Sequence, residues 1–265
     1  MKNFFNKVKK VLKNFFFANF NDLNWTCEVC GREIFEDKYF CDECYKSLPF
    51  LTDKICDHCG RRTPYAVNYC LSCKNKQTAM TVARSVFDYE MPVTLMIHRL
   101  KYRERRYLAK IFAVYMADVY FKNYFNSDVI VYIPMFKKDE RKRGYNQAKL
   151  IAEELSEIIN VKIAEDTLVK VKKTKHQVGL NREERLKNLK DSLKIKSAKE
   201  IKGKSVLIVD DVMTTGATVE TAAELLKRRG AKEIKVLTVA SVQISDDKNL
   251  TERGKDGFNK IHFRQ

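Results

Sequence analysis

The chain has 265 residues, 45% of them hydrophobic, with a formal net charge of +17. That length supports one substantial core plus a smaller module, and no apolar run is long enough to span a bilayer. So large a positive excess points to anionic partners: phosphates, nucleic acid or an acidic membrane.

The charge is uneven. Residues 23–75 hold 7 Lys/Arg against 8 Asp/Glu, whereas residues 76–265 hold 39 against 25. Composition and motifs divide the chain into an N-terminal helix (1–22), a cysteine-rich module (23–75), an α/β domain (76–245) and a polar tail (246–265).

Over residues 3–20, Phe4, Phe5, Val8, Val11, Leu12, Phe15 and Phe16 alternate with Lys7, Lys9, Lys10 and Lys13 at helical spacing. An amphipathic helix with an aromatic face and a basic face suits an anionic membrane surface. Docking on its own domain or on a partner is the other reading. The segment is not a secretory signal, because lysines and asparagines break its apolar run and no small-residue cleavage site follows. A cytoplasmic protein is expected, peripheral at the inner face of the cell membrane if residues 3–20 bind lipid.

All eight cysteines lie between 27 and 73, as four Cys-x-x-Cys pairs. A shift of 29 residues carries Cys27, Cys30, Cys41 and Cys44 onto Cys56, Cys59, Cys70 and Cys73, and Gly31-Arg32 onto Gly60-Arg61. The module is a duplicated unit. Two thiolates three residues apart on a tight knuckle grip one metal, and a second knuckle closes the tetrahedron. Four cysteines leave no open position, so two structural zinc sites are expected. The simplest pairing keeps each repeat to itself; an interleaved one also satisfies the spacing. Disulfides are disfavoured in a cytoplasmic setting. His58 is expected to face solvent. The module is near neutral before its thiolates are counted, which favours a scaffold at least as much as a nucleic-acid contact.

In the third region, Arg99, Lys101, Arg103, Arg105 and Arg106 form a basic stripe with Tyr102 and Tyr107 interleaved. That pattern suits a single-stranded nucleic acid backbone with stacking aromatics; an exposed helix beside a core has the same look. Residues 129–134 read as a strand. Arg141-Lys142-Arg143-Gly144-Tyr145-Asn146-Gln147 then precede a helix over Ala148–Ile159.

Val206-Leu207-Ile208-Val209 reads as a buried parallel strand, with Asp210-Asp211 at its carboxyl end. Val212-Met213-Thr214-Thr215-Gly216-Ala217-Thr218 follows, then a helix with Val219, Ala222, Ala223 and Leu226 on one face and Gly230 as a stop. Backbone N–H groups and the hydroxyls of Thr214, Thr215 and Thr218 can ring a phosphate at a helix N-terminus. Gly216 permits close approach, and two adjacent carboxylates suit the hydroxyls of a ribose. The whole run resembles the 13-residue signature of type I phosphoribosyltransferases for 5-phosphoribosyl-1-pyrophosphate (PRPP). Asp210, Asp211, Thr214, Thr215, Gly216, Ala217 and Thr218 are the candidate ligand residues.

The order of parts resembles the ComF competence family, in which a double zinc ribbon is fused to a phosphoribosyltransferase-like domain. Further resemblance lies in His98-Arg99-Leu100-Lys101-Tyr102, in Ile133-Pro134 with the Arg141–Gln147 run, and in Thr174, Gln177, Leu180, Arg185 and Asn188. Phe136 stands where the family often has a second proline. The resemblance implies a type I phosphoribosyltransferase-like α/β fold with a mainly parallel sheet and an N-terminal double zinc ribbon. It implies PRPP with Mg²⁺ as ligand, single-stranded DNA and DNA-uptake machinery as partners, and a role in natural competence. By the same analogy, Arg143 and Arg185 are the catalytic candidates facing the pyrophosphate. Residues 172–185 would form the loop that closes over PRPP, with Lys173 and Lys175 as further cations. His98 is left out of the catalytic set. An active transferase with an unidentified acceptor, and a non-enzymatic adaptor, are the alternative functions. Domain order also places the zinc module where a cap over the site would be expected.

Overall fold

The structure, a computed structural model, describes residues 26–35, 38–74, 78–172 and 192–243. The elements are α1 (Asp42–Lys46), α2 (Leu71–Lys74), β1 (Val82–Asp88), α3 (Val93–Tyr102), α4 (Leu108–Lys122), β2 (Val129–Tyr132), α5 (Lys137–Arg143), α6 (Gln147–Ile159), β3 (Leu168–Lys170), β4 (Leu193–Ile195), β5 (Ser205–Met213), α7 (Ala217–Arg228) and β6 (Glu233–Ser241). The 3–20 segment and the tail lie outside the described residues. Among the described residues no helix is long and apolar enough to cross a membrane.

Four strands pair in the order β1-β6-β5-β2, all parallel, and β3 and β4 form a separate antiparallel pair. A parallel sheet must be covered on both faces, and its strands are accordingly apolar on both. Leu207, Val209, Leu237 and Val239 face one core with the apolar sides of α3, α4 and α6. Val206, Ile208, Ile234 and Val236 face a second core with Val219, Ala222, Ala223 and Leu226 of α7, the four residues expected to line that helix.

Two strand boundaries differ from the sequence expectation. β5 does not stop at Val209: it pairs with β6 as far as Met213, so Asp210 and Asp211 lie within the strand rather than beyond it. Their side chains are tolerated there because Asp211 pairs with Lys101 and Gln147 and Asp210 Oδ1 accepts from Asp211 N at 2.8 Å. β2 stops at Tyr132; one more bond, Ile133 N–H to Val209 O at 3.0 Å, precedes Pro134, which has no N–H to continue the ladder. The helix expected from Ala148 begins one residue earlier, at Gln147, where Asn146 caps it by accepting from Ala148 N at 2.9 Å.

The cysteine module docks along the sheet and its helices. The outer edge of β1 would otherwise present unpaired backbone groups. Instead Ala83 N–H donates to His58 O at 2.8 Å, Leu51 N–H to Val86 O at 2.9 Å, and Asp88 N–H to Pro49 O at 2.8 Å. The second repeat sits so close that a Cβ on Gly60 would lie 2.5 Å from Ala83 O. The first repeat packs on the helical side, where Phe40 meets Tyr115 of α4 at 6.1 Å. There Arg99 Nη1 donates to Glu28 O at 2.8 Å, and Tyr107 OH to Glu28 Oε2 at 2.9 Å.

Candidate functional site

The cysteines resolve into two clusters, one of Cys27, Cys30, Cys41 and Cys44 and the other of Cys56, Cys59, Cys70 and Cys73, each with its four sulfurs within 4.8 Å of one another. The repeat-by-repeat pairing is the one adopted. Sγ–Sγ separations of 3.9 Å (Cys30–Cys41) and 3.8 Å (Cys59–Cys70) match the edge of about 3.8 Å that Zn–S bonds near 2.3 Å give a tetrahedron. Gly31 and Gly60 adopt φ values of 73° and 68°, the left-handed turn each knuckle requires.

Within each cluster the thiols hold their protons unequally: Cys44 and Cys70 are pushed up chiefly by burial and Cys73 chiefly by its bond to Cys59, whereas Cys59 and Cys27 are drawn down. Cys59 is drawn down to about 5, chiefly by a hydrogen bond from the Cys73 thiol; burial opposes this, and the backbone N–H and charge of Arg61 assist. For Cys27, burial raises the thiol, but backbone N–H groups of Cys30, Cys41 and Val29 outweigh it and bring it to about 7. The donor sets fit structural zinc and leave no ligand position open for chemistry. His58 does more than face solvent. Its Nε2 bonds Thr78 Oγ1 at 2.8 Å and its ring lies 5.5 Å from Tyr69, tying the second knuckle to the start of the α/β domain.

At the carboxyl edge of the sheet, β5 delivers Asp210 and Asp211, both buried. Asp211 forms an ion pair with Lys101 from the end of α3 and accepts from Gln147 Nε2 at 3.3 Å. Burial raises the Asp211 carboxyl, but the Lys101 charge and these bonds win and hold it below the usual range. Asp210 is pushed up, first by burial and then by the Asp211 charge. Burial would lower the Lys101 ammonium, and Asp211 more than offsets it. The surroundings thus push the two carboxyls in opposite directions.

Gly216, at φ 80°, turns the chain into α7. Thr214 and Thr215 are exposed, with Ala217 and Thr218 half-buried in the first helical turn. Thr215 Oγ1 accepts from Ala217 N at 3.3 Å. Exposed hydroxyls beside a helix N-terminus have the chemistry to hold an anion.

Arg143 joins this assembly indirectly. It donates to Gln147 Oε1, and Gln147 in turn donates to Asp211. The Arg143 guanidinium stacks over the Tyr102 ring at 4.9 Å. Gly144, at φ 87°, ends α5 so that the chain can turn into α6, and Tyr145 OH donates to Leu100 O, locking the two segments together. Arg185, Lys173 and Lys175 lie outside the described residues. Lys170, on β3, is lowered by burial against the opposing charges of Asp210 and Asp139; sequence reading had passed it over.

The basic stripe is divided by its surroundings. Arg99 holds the first ribbon, Lys101 pairs with Asp211, and Arg105 donates to Tyr107 OH. Arg106 lies over the Tyr145 ring at 4.7 Å. His98 packs at 4.9 Å from Tyr102. From the ribbon side, Arg61 Nη2 donates to Thr214 O at 2.7 Å, so the zinc module reaches the phosphate loop itself.

A double zinc ribbon at the edge of a parallel sheet, with an acidic pair on β5 and a threonine-glycine loop leading into α7, defines a phosphoribosyltransferase-fold protein with an N-terminal double zinc ribbon. The comparisons agree: the double zinc ribbon domain family matches residues 23–74 and the phosphoribosyl transferase domain family residues 141–260. Over most of its length the chain is homologous to competence and DNA utilization proteins that share this architecture. It is 29% identical to "Competence protein F" of Haemophilus influenzae over 83% of this chain and 98% of that protein. Identity is also 29% to "DNA utilization protein YhgH" of Escherichia coli O157:H7, over 79% and 87%. It is 27% to "Competence protein ComFC" of Streptococcus pneumoniae, over 77% and 88%.

Proposed function

We propose that this chain binds PRPP with Mg²⁺ and acts in natural competence, handling single-stranded DNA during uptake. The observation that carries the ligand reading is the placement of Asp210, Asp211 and the Thr214–Thr218 loop together at the carboxyl edge of β5, where α7 begins. In this reading the acids accept the ribose hydroxyls, and the loop's N–H groups and threonine hydroxyls hold the 5′-phosphate. Arg143 and Arg185 face the pyrophosphate. Mg²⁺, when bound with PRPP, would supply positive charge to the pyrophosphate. Lys101 and Gln147 keep Asp211 ionised and oriented.

The competence role is supported by the names of two relatives that span most of this chain, a competence protein and a DNA utilization protein. The basic balance of residues 76–265 suits a phosphate backbone. Arg99, Lys101 and Arg105 bond partners within the fold, and Arg106 and Tyr102 each have one face covered, by Tyr145 and Arg143, so the DNA reading of the stripe rests on Arg103 and on the exposed sides of Arg106 and Tyr102.

Calorimetric titration of PRPP with Mg²⁺ into the zinc-loaded protein tests the ligand, with the Asp210→Asn, Asp211→Asn double variant as control. Binding that the variant loses supports the reading. A folded protein that does not bind would leave an adaptor role. A second reading, phosphoribosyl transfer to an acceptor, is favoured by Arg143, which is linked to the acid pair through Gln147. PRPP consumption only when a base is added would establish it; DNA affinity that responds to intact PRPP would favour sensing.

A further inference from the structure

The 29-residue repeat makes Arg32 and Arg61 equivalent in sequence, yet the fold uses them differently. Arg32 lies on the surface, paired with Glu43 at 3.0 Å. Arg61 is 5% exposed and donates to the Thr214 carbonyl at 2.7 Å. A Cβ on Gly216 would lie 3.1 Å from Arg61 Nη2, so the guanidinium rests directly against the loop. Its Nε has no hydrogen-bond partner among the described residues.

The position of Arg61 is set by the second metal knuckle. Cys56 N–H donates to Arg61 O at 2.9 Å and Gly60 N–H to Cys56 O at 2.8 Å. The knuckle is anchored in turn on β1 through Ala83 N–H and His58 O, at 2.8 Å. Four zinc-bound thiolates carry a net charge of about −2, the compensation that a buried guanidinium requires. In a phosphate loop the N–H groups serve the anion, so the carbonyls must be satisfied elsewhere. Arg61 does this for Thr214.

We propose that Arg61 is a positioning residue of the phosphate loop, and that the second zinc site, unlike the first, couples metal occupancy to ligand affinity. Metal loss from Cys56, Cys59, Cys70 and Cys73 releases the knuckle, withdraws the guanidinium and frees the Thr214 carbonyl. Loss from the first site leaves that brace in place. The affinity part rests on the PRPP reading; the brace does not.

The test uses the full zinc-loaded chain, with hydrogen exchange at residues 213–218 as the first readout. Arg61→Met should raise exchange there roughly tenfold, the scale of one charged hydrogen bond. Arg61→Lys, which keeps a charged donor, should restore part of the protection, and Arg32→Met should change nothing. If Arg61→Met loses zinc, the Lys variant decides: loop protection well above that of a metal-stripped second site is expected. Unchanged exchange in both Arg61 variants would overturn the brace. Between metal-site variants, Cys70→Ser should loosen the loop and Cys30→Ser should not; equal effects would overturn the coupling. In a PRPP and Mg²⁺ titration, Arg61→Met should bind roughly tenfold more weakly. Equal binding by wild type and Arg61→Met overturns the affinity claim and leaves the PRPP reading intact. Arg61-dependent protection in a wild type that does not bind PRPP sinks that reading and upholds the brace.

Discussion

Lys101, the penultimate residue of α3, sets its ammonium against the Asp211 carboxylate at the end of β5. The pair joins a helix on one face of the sheet to the strand that leads into the phosphate loop. A charge that reads on the sequence as part of a solvent-facing stripe is therefore turned inward to the acids of β5.

Removing Lys101 should be costly. Lys101→Met leaves a buried carboxylate without its cation, a loss of about 3 kcal/mol at neutral pH. The loss should shrink in acid, where Asp211 protonates. Urea unfolding at several pH values reads both effects; a cost that does not change with pH would exclude the ion pair as its source.

The two acids should pull stability in opposite directions with pH. Asp211 lies below its ordinary range, so its contribution is present above that range and is lost as pH falls through the folded value. Asp210 lies above its ordinary range, so its contribution is present in acid and is lost as pH rises through the folded value. Asp210→Asn should accordingly flatten the decline on the alkaline side, and Asp211→Asn the decline on the acid side. Melting temperatures without Mg²⁺, across that range, would show the two slopes separately.

Chelation should remove two zinc ions per chain, one from each cluster. Each structural site is worth on the order of 10 kcal/mol of folding energy, so the ribbons should lose their fold. Loss of the ribbons also exposes the β1 edge now bonded to His58 of the second repeat and to Leu51 and Pro49 just before it. Metal analysis paired with light scattering should therefore show association accompanying loss of the second ion.

Gly31→Ala and Gly60→Ala are the same change at equivalent points of the repeat. Both positions have positive φ, which costs about 1 kcal/mol for alanine. At Gly31 nothing lies within 4 Å of the added Cβ, whereas at Gly60 it meets Ala83 O at 2.5 Å. Gly60→Ala should cost about 3 kcal/mol or more, since backbone must move. Thermal unfolding of the two variants should differ accordingly, and equal losses would mean that the ribbon is not seated on β1.

Much of this was legible in the chain. The cysteine spacing points to metal knuckles, since four Cys-x-x-Cys pairs in a duplicated unit supply two complete four-thiolate sets. The apolar run at 206–209, the acids after it and the small-residue loop mark a buried strand feeding a helix N-terminus, because local pattern sets both periodicity and turn. The end of β5 was misjudged because carboxylates ordinarily terminate a buried strand. Their accommodation depends on Lys101 and Gln147, which lie far away in sequence.

Local pattern could not choose between the two cysteine pairings, because both satisfy the same spacing. Nor could it separate Arg32 from Arg61, which occupy matching places in a duplicated motif. Their difference arises from docking: the second ribbon lies along β1 and reaches Thr214, whereas Arg32 stays on the surface with Glu43. Short-range chemistry within each repeat makes the knuckle and its glycine. Which knuckle touches the ligand loop depends on long-range packing, and that was settled only when the edge of the sheet took one ribbon as its cover.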